Sequence, residues 1–130
     1  MKILLVDTNI FLRSLLNDVP SQTKVANKII FDARNGKLKL VTPQIIVFEV
    51  IFALSSFYRF SKDKVVKALE YIINSDYFNL ESRSDFVSAL EIYKKNNLDF
   101  TDCFLAARAK SENYEITTFD KKLEKYAKSS

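Results

Sequence analysis

Short apolar runs alternate along the chain with stretches whose apolar residues recur at helical spacing, which predicts an α/β fold on a mostly parallel sheet. Lys2 to Val6 is a run suited to a central buried strand. After the polar turn Asp7-Thr8-Asn9, Ile10 to Leu16 reads as a helix. Ser21 opens a longer one, with Val25, Ile29 and Ala33 on its apolar face and Asn35-Gly36 at its end. Lys39 to Val41 reads as a second strand, and Thr42-Pro43 supplies an N-cap and a first-turn proline for the helix that carries Glu49. Ser61 caps a further helix with Val65, Leu69, Ile72 and Ile73 on one face. Asp76 to Leu80 reads as a third strand, and a helix from Ser84 carries Phe86, Leu90 and Tyr93 before Asn96-Asn97 breaks it. A helix then runs from about Thr101 through Ala109. Tyr114 to Thr118 reads as a fourth strand, and Asp120 to Lys128 closes the chain as a short basic helix.

Length and composition narrow the class. With 130 residues, 48% of them hydrophobic and 28% charged, the chain is expected to form one globular domain over its whole length, residues 1–130. No repeat, linker or low-complexity tract interrupts it. The single cysteine, Cys103, excludes an internal disulfide, and the absence of a Cys or His cluster points to a reducing cytoplasm and away from a zinc site. There is no histidine at all, which removes Ser-His-Asp and Cys-His chemistry and leaves carboxylates, Lys, Tyr or a metal to do any catalysis. The N-terminus starts directly in a strand, and the apolar stretch Ile45 to Leu54 is too short to span a bilayer, so neither a signal peptide nor a membrane helix is expected. The formal net charge is +4. Lys94-Lys95 and the tail lysines 121, 122, 125 and 128 are candidates for phosphate contacts, or equally for a solvated face.

Four carboxylates stand in apolar or cap-like settings: Asp7 after Ile3-Leu4-Leu5-Val6, Glu49 between Phe48 and Val50, Asp102 between Thr101 and Cys103, and Asp120 after Phe119. An unpaired charge close to a core costs several kcal/mol, roughly, so a set of such acids suggests a shared cation. Singly, Asp7, Asp120 and the Asp99/Asp102 pair are as well explained as helix caps. Glu49 resists that explanation: it is the only ionisable residue from Ile45 to Leu54, and no basic residue lies within a helical turn of it. Mg²⁺ and Mn²⁺ prefer oxygen ligands, and a donor set without His or Cys suits them.

Taken in order, Val6-Asp7-Thr8-Asn9-Ile10, the lone Glu49, the block from Leu98 to Ala107 and Thr117-Thr118-Phe119-Asp120 resemble a PIN domain over nearly the whole chain. Small stand-alone members of that family are mostly VapC-type toxins. The resemblance implies a three-layer α/β/α fold around a central parallel sheet of four or five strands. It also implies an Mg²⁺- or Mn²⁺-dependent endoribonuclease that leaves a 5′-phosphate and a 3′-hydroxyl. It carries Asp7, Glu49, Asp102 and Asp120 over as the acidic quartet, with Asn9 and Thr118 as supporting polar positions and Asp99 as an additional acid or the cap of the Asp102 helix, the cap being favoured. Asp7 and Asp102 are expected as direct ligands, Asp120 as a ligand through water, and Glu49 as a ligand or a water-orienting base. Many members have a final strand after the last acid; this chain ends instead in a lysine-rich helix.

The resemblance further implies an RNA substrate, a small antitoxin partner and a homodimer, for which Phe52, Phe57, Tyr58 and Phe60 are exposed aromatic candidates. Two alternatives stand beside the toxin. One is a non-toxin PIN-like module that binds or processes RNA. The other is a phosphatase or phosphotransferase with an aspartate after its first strand, disfavoured because position 9 is Asn.

Overall fold

The computed structural model describes residues 1–129. The chain forms two compact units, one ending at Glu81 and one beginning at Ser82.

The first unit contains the sheet. Strand β1 (Lys2–Leu5) pairs in parallel with β2 (Leu38–Val41), Lys2 opposite Leu38 and Leu5 opposite Val41. Parallel neighbours need a crossover, and helices α1 (Thr8–Leu16) and α2 (Pro20–Arg34) provide it. The chain continues into α3 (Gln44–Phe52), a π-helical turn over Ala53–Phe57, α4 (Lys62–Asn74) and a 3-10 turn over Asp76–Phe78. Phe78 lies at the heart of this unit, with the rings of Phe11, Tyr71 and Tyr77 4.8 to 5.4 Å from its own. Val47, Val50, Leu54, Leu69 and Ile72 of the same unit are also fully buried.

Several expectations are corrected here. The sheet has two strands among the described residues where four or five were expected. In place of a third strand over residues 76–80 there is a 3-10 turn followed by one isolated parallel bridge, Thr42 to Leu80. Asn79, in the left-handed region at φ 47, turns the chain out of any longer ladder. β1 is not buried on both faces: it has one paired neighbour, and Ile3 and Leu5 are exposed while Val6 closes into the core. Thr42 does not cap α3, because its hydroxyl turns inward and donates to the Phe78 carbonyl at 2.9 Å. Pro43 takes the cap position, and the Glu81 carboxylate accepts the Gln44 N–H at 3.2 Å.

The second unit is helical: α5 (Arg83–Lys95), α6 (Phe100–Glu112) and α7 (Lys121–Ser129). Phe86 of α5 packs against Phe100 and Phe104 of α6. A buried Asp85 binds Arg108 and also accepts from the Ser111 hydroxyl at 2.8 Å, which ties α5 to α6. Burial alone would raise the Asp85 pKa; the Arg108 and Ser111 hydrogen bonds outweigh it and hold the carboxyl below its ordinary value. Residues 114–118, expected as a fourth strand, have no ladder partner among the described residues.

The chain has a single glycine, Gly36, at φ 75. Asparagine does the same work elsewhere: Asn17, Asn79 and Asn113 all adopt left-handed backbone and end α1, the 3-10 turn and α6. Its short polar side chain tolerates that region better than other non-glycine residues. No helix among the described residues is long and apolar enough to cross a membrane.

Candidate active site

In the first unit, β1 delivers Asp7 to the start of α1, where its carboxylate accepts the Thr8 N–H at 2.8 Å. The Thr8 hydroxyl donates to Glu49 Oε2 at 2.6 Å. Thr8 therefore joins two acids that lie far apart in sequence, and it is a candidate site residue the sequence reading missed. Its only local signal was its place inside the Asp7-Thr8-Asn9 turn. Asn9 is exposed on the first turn of α1.

Glu49 is exposed, not buried on all sides as its apolar neighbours suggested. The helix explains why. Ile45, Glu49 and Phe52 recur at i, i+4 and i+7, one outward stripe of α3, while Val47, Val50, Ile51 and Leu54 turn inward.

In the second unit, Asp99, Asp102 and Asp120 line one cleft of about 340 Å³ together with Lys121 and Lys122. Asp102 is half-buried in the first turn of α6. Its pKa is raised, first by burial and then by the negative charges of Asp120 and Asp99. Asp99 holds the N-cap position of α6 in its backbone, but its carboxylate makes no capping hydrogen bond. That part of the expected cap is not formed, and the side chain lines the cleft instead.

Asp120 does serve as a cap. Its Oδ1 accepts the Leu123 N–H of α7 at 3.0 Å, while its own N–H donates to Thr118 Oγ1 at 3.0 Å. Thr118 thus holds the turn that presents Asp120. Cys103, beside Asp102, is fully buried and packs as a small core residue.

Among the described residues no three acids are arranged as a set that could hold a metal ion by themselves. The donor chemistry does suit a hard divalent cation: every candidate ligand is a carboxylate, and the charge crowded around Asp102 is of the sign a cation offsets.

A PIN domain family model matches residues 4–129. A VapC ribonuclease of Aquifex aeolicus (strain VF5) is 23% identical over 122 residues, which covers 93% of this chain and 90% of that protein. No solved structure matches.

Proposed function

Because the chain belongs to the PIN domain family, we propose that it is a divalent-metal-dependent endoribonuclease hydrolysing RNA phosphodiester bonds, and the toxin of a type II toxin-antitoxin pair. The similarity to a VapC ribonuclease along nearly the full length of both chains supports the activity. The observation on this chain that carries the reading is Asp102, kept half-buried beside Asp99 and Asp120 although their charges oppose its ionisation. Asp120 also caps α7, but a cap does not require its charge to face Asp102, and carboxylates crowded into one cleft are the arrangement that a cation or a reaction uses. We take residues 1–130 as one PIN domain.

In this reading Asp7 and Asp102 would be the residues that hold Mg²⁺ or Mn²⁺, Asp120 would be a ligand through water, and Glu49 would be a ligand or the base that orients a water. The bound ion supplies neutralisation of the charge that develops on the phosphate. Thr8 fixes the Glu49 carboxylate through its 2.6 Å hydrogen bond, and Thr118 fixes the turn that carries Asp120. A small antitoxin protein holds the enzyme inactive. The exposed Phe52 and Phe57 support self-association into a homodimer.

The test is cleavage of mixed RNA with chelator, Mg²⁺ or Mn²⁺, by wild type and by Asp7→Asn, Glu49→Gln, Asp102→Asn and Asp120→Asn. Metal-dependent cleavage that disappears in each variant is expected. Cleavage retained in the variants would refute the assignment. RNA binding with no cleavage by wild type would leave the RNA-binding module as the better account.

A further inference from the structure

We propose that α7 forms a second subsite beside the acidic cleft, one that grips the nucleotides flanking the scissile phosphate of a single-stranded RNA; this rests on the ribonuclease reading above. Two hollows adjoin in the unit that begins at Ser82. One, of about 340 Å³, contains the three aspartates. The other, of about 300 Å³, is lined by Asn96, Lys122, Lys125, Tyr126 and Ser129. Asn97, Leu98 and Lys122 wall both, so the second hollow continues the first.

The helix sets the chemistry of that continuation. Lys122, Lys125, Tyr126 and Ser129 fall at i, i+3, i+4 and i+7, one face of α7, while Leu123 is buried on another. Of the four α7 lysines only Lys128 is in an ion pair among the described residues. Lys128 is tied to Glu124 at 2.9 Å, whereas Lys122 and Lys125 make no ion pair with a described residue and are exposed. Two uncommitted ammonium groups suit successive backbone phosphates. Half-buried Tyr126, on the same face, offers an aromatic surface on which an unpaired base can stack. Stacking needs an exposed base face, which a duplex does not present. The strand therefore runs from the cleft, past Lys122, to Lys125 and Tyr126.

The experiment measures binding without cleavage: fluorescence anisotropy of a fluorescein-labelled single-stranded RNA about ten nucleotides long, in chelator, over a series of salt concentrations. Lys122→Gln/Lys125→Gln is expected to weaken binding and to flatten the log K against log salt slope by about 1.4, from about 0.7 per lost contact. Tyr126→Leu, which keeps an apolar side chain in place, is expected to weaken binding about tenfold, and Tyr126→Phe to bind as wild type. Slopes and affinities unchanged in these variants would overturn the proposal, as would a wild type that binds a duplex of the same length equally well or binds no RNA at all. If the variants behave as expected while wild type cleaves nothing with Mn²⁺, the subsite stands and the ribonuclease reading falls.

Discussion

Asp120 carries two separable roles, and two substitutions at one position tell them apart. Its Oδ1 caps α7 by accepting the Leu123 N–H at 3.0 Å, and its charge opposes ionisation of Asp102. Asp120→Ala removes both cap and charge; Asp120→Asn removes the charge and keeps an acceptor that caps about as well. Losing an N-cap costs about 1 kcal/mol, which for a chain of 130 residues lowers Tm by about 3–5 °C. Removing the charge has two opposed effects. It relieves repulsion on Asp102, and it gives up an attraction to the α7 dipole of about 0.3–1 kcal/mol, screened because Asp120 is exposed. These nearly cancel, so in chelator at neutral pH Asp120→Asn should unfold within about 2 °C of wild type, and Asp120→Ala about 3–5 °C below Asp120→Asn. Both should be inactive. Position 120 is neutral at every pH in both variants, so the gap between them should not depend on pH. The assay is thermal unfolding by circular dichroism from acid to neutral pH, beside RNA cleavage with Mn²⁺. Equal stability of the two variants would refute the cap, and full cleavage by Asp120→Asn would refute the catalytic role.

Asp102 and Asp85 should respond to pH with opposite signs. The Asp102 pKa is raised in the fold, so its favourable contribution is present in acid and is lost as pH rises through the folded value; Asp102→Asn should therefore stabilise the metal-free protein at neutral pH and match it in acid. The Asp85 pKa is lowered, so its contribution is present above the ordinary carboxylate range and is lost as pH falls through the folded value; Asp85→Asn should remove that part of the acid sensitivity, and an unchanged acid transition would show that the Arg108 pair does not govern it. Thr8→Val should cost about 1 kcal/mol and slow cleavage by freeing Glu49, with Thr8→Ser restoring both; a wild-type rate for Thr8→Val would remove Thr8 from the site. Phe78→Ala, which empties a fully buried ring position, should lower unfolding free energy in urea by about 3–5 kcal/mol; a loss under about 1 kcal/mol would mean that the first unit is not packed around it.

What the sequence made legible is what local rules decide, and what it hid depends on residues far along the chain. Ser61 was readable as a cap and Val65, Leu69, Ile72 and Ile73 as a buried face, because α4 repeats its apolar residues in a single helical phase. α2 offered two phases. Val25, Ile29 and Ala33 matched one, yet the helix buries Thr23, Ala26, Ile30 and Ala33, and Val25 is 58% exposed. The deciding contact is the Thr23 hydroxyl donating to the Arg13 carbonyl at 2.8 Å, a bond to another helix that no periodicity reveals. Asp85 with Arg108, Thr8 with Glu49 and the inward turn of Thr42 onto Phe78 are of the same kind: each partner is ordinary locally, and only the fold pairs them. The candidate acids sit between these cases. Asp7 and Asp120 were legible both as caps and as candidate acids of the site, and the structure gives each a capping bond, so a cap alone does not argue against a second role. Glu49 was legible for the wrong reason. An apolar run around an acid implied burial, but the stripe it shares with Ile45 and Phe52 faces outward, those two being 60% and 69% exposed. Its acid therefore pays no burial penalty, and its position is fixed instead by the short bond from Thr8, on the strand-to-helix turn that also presents Asp7.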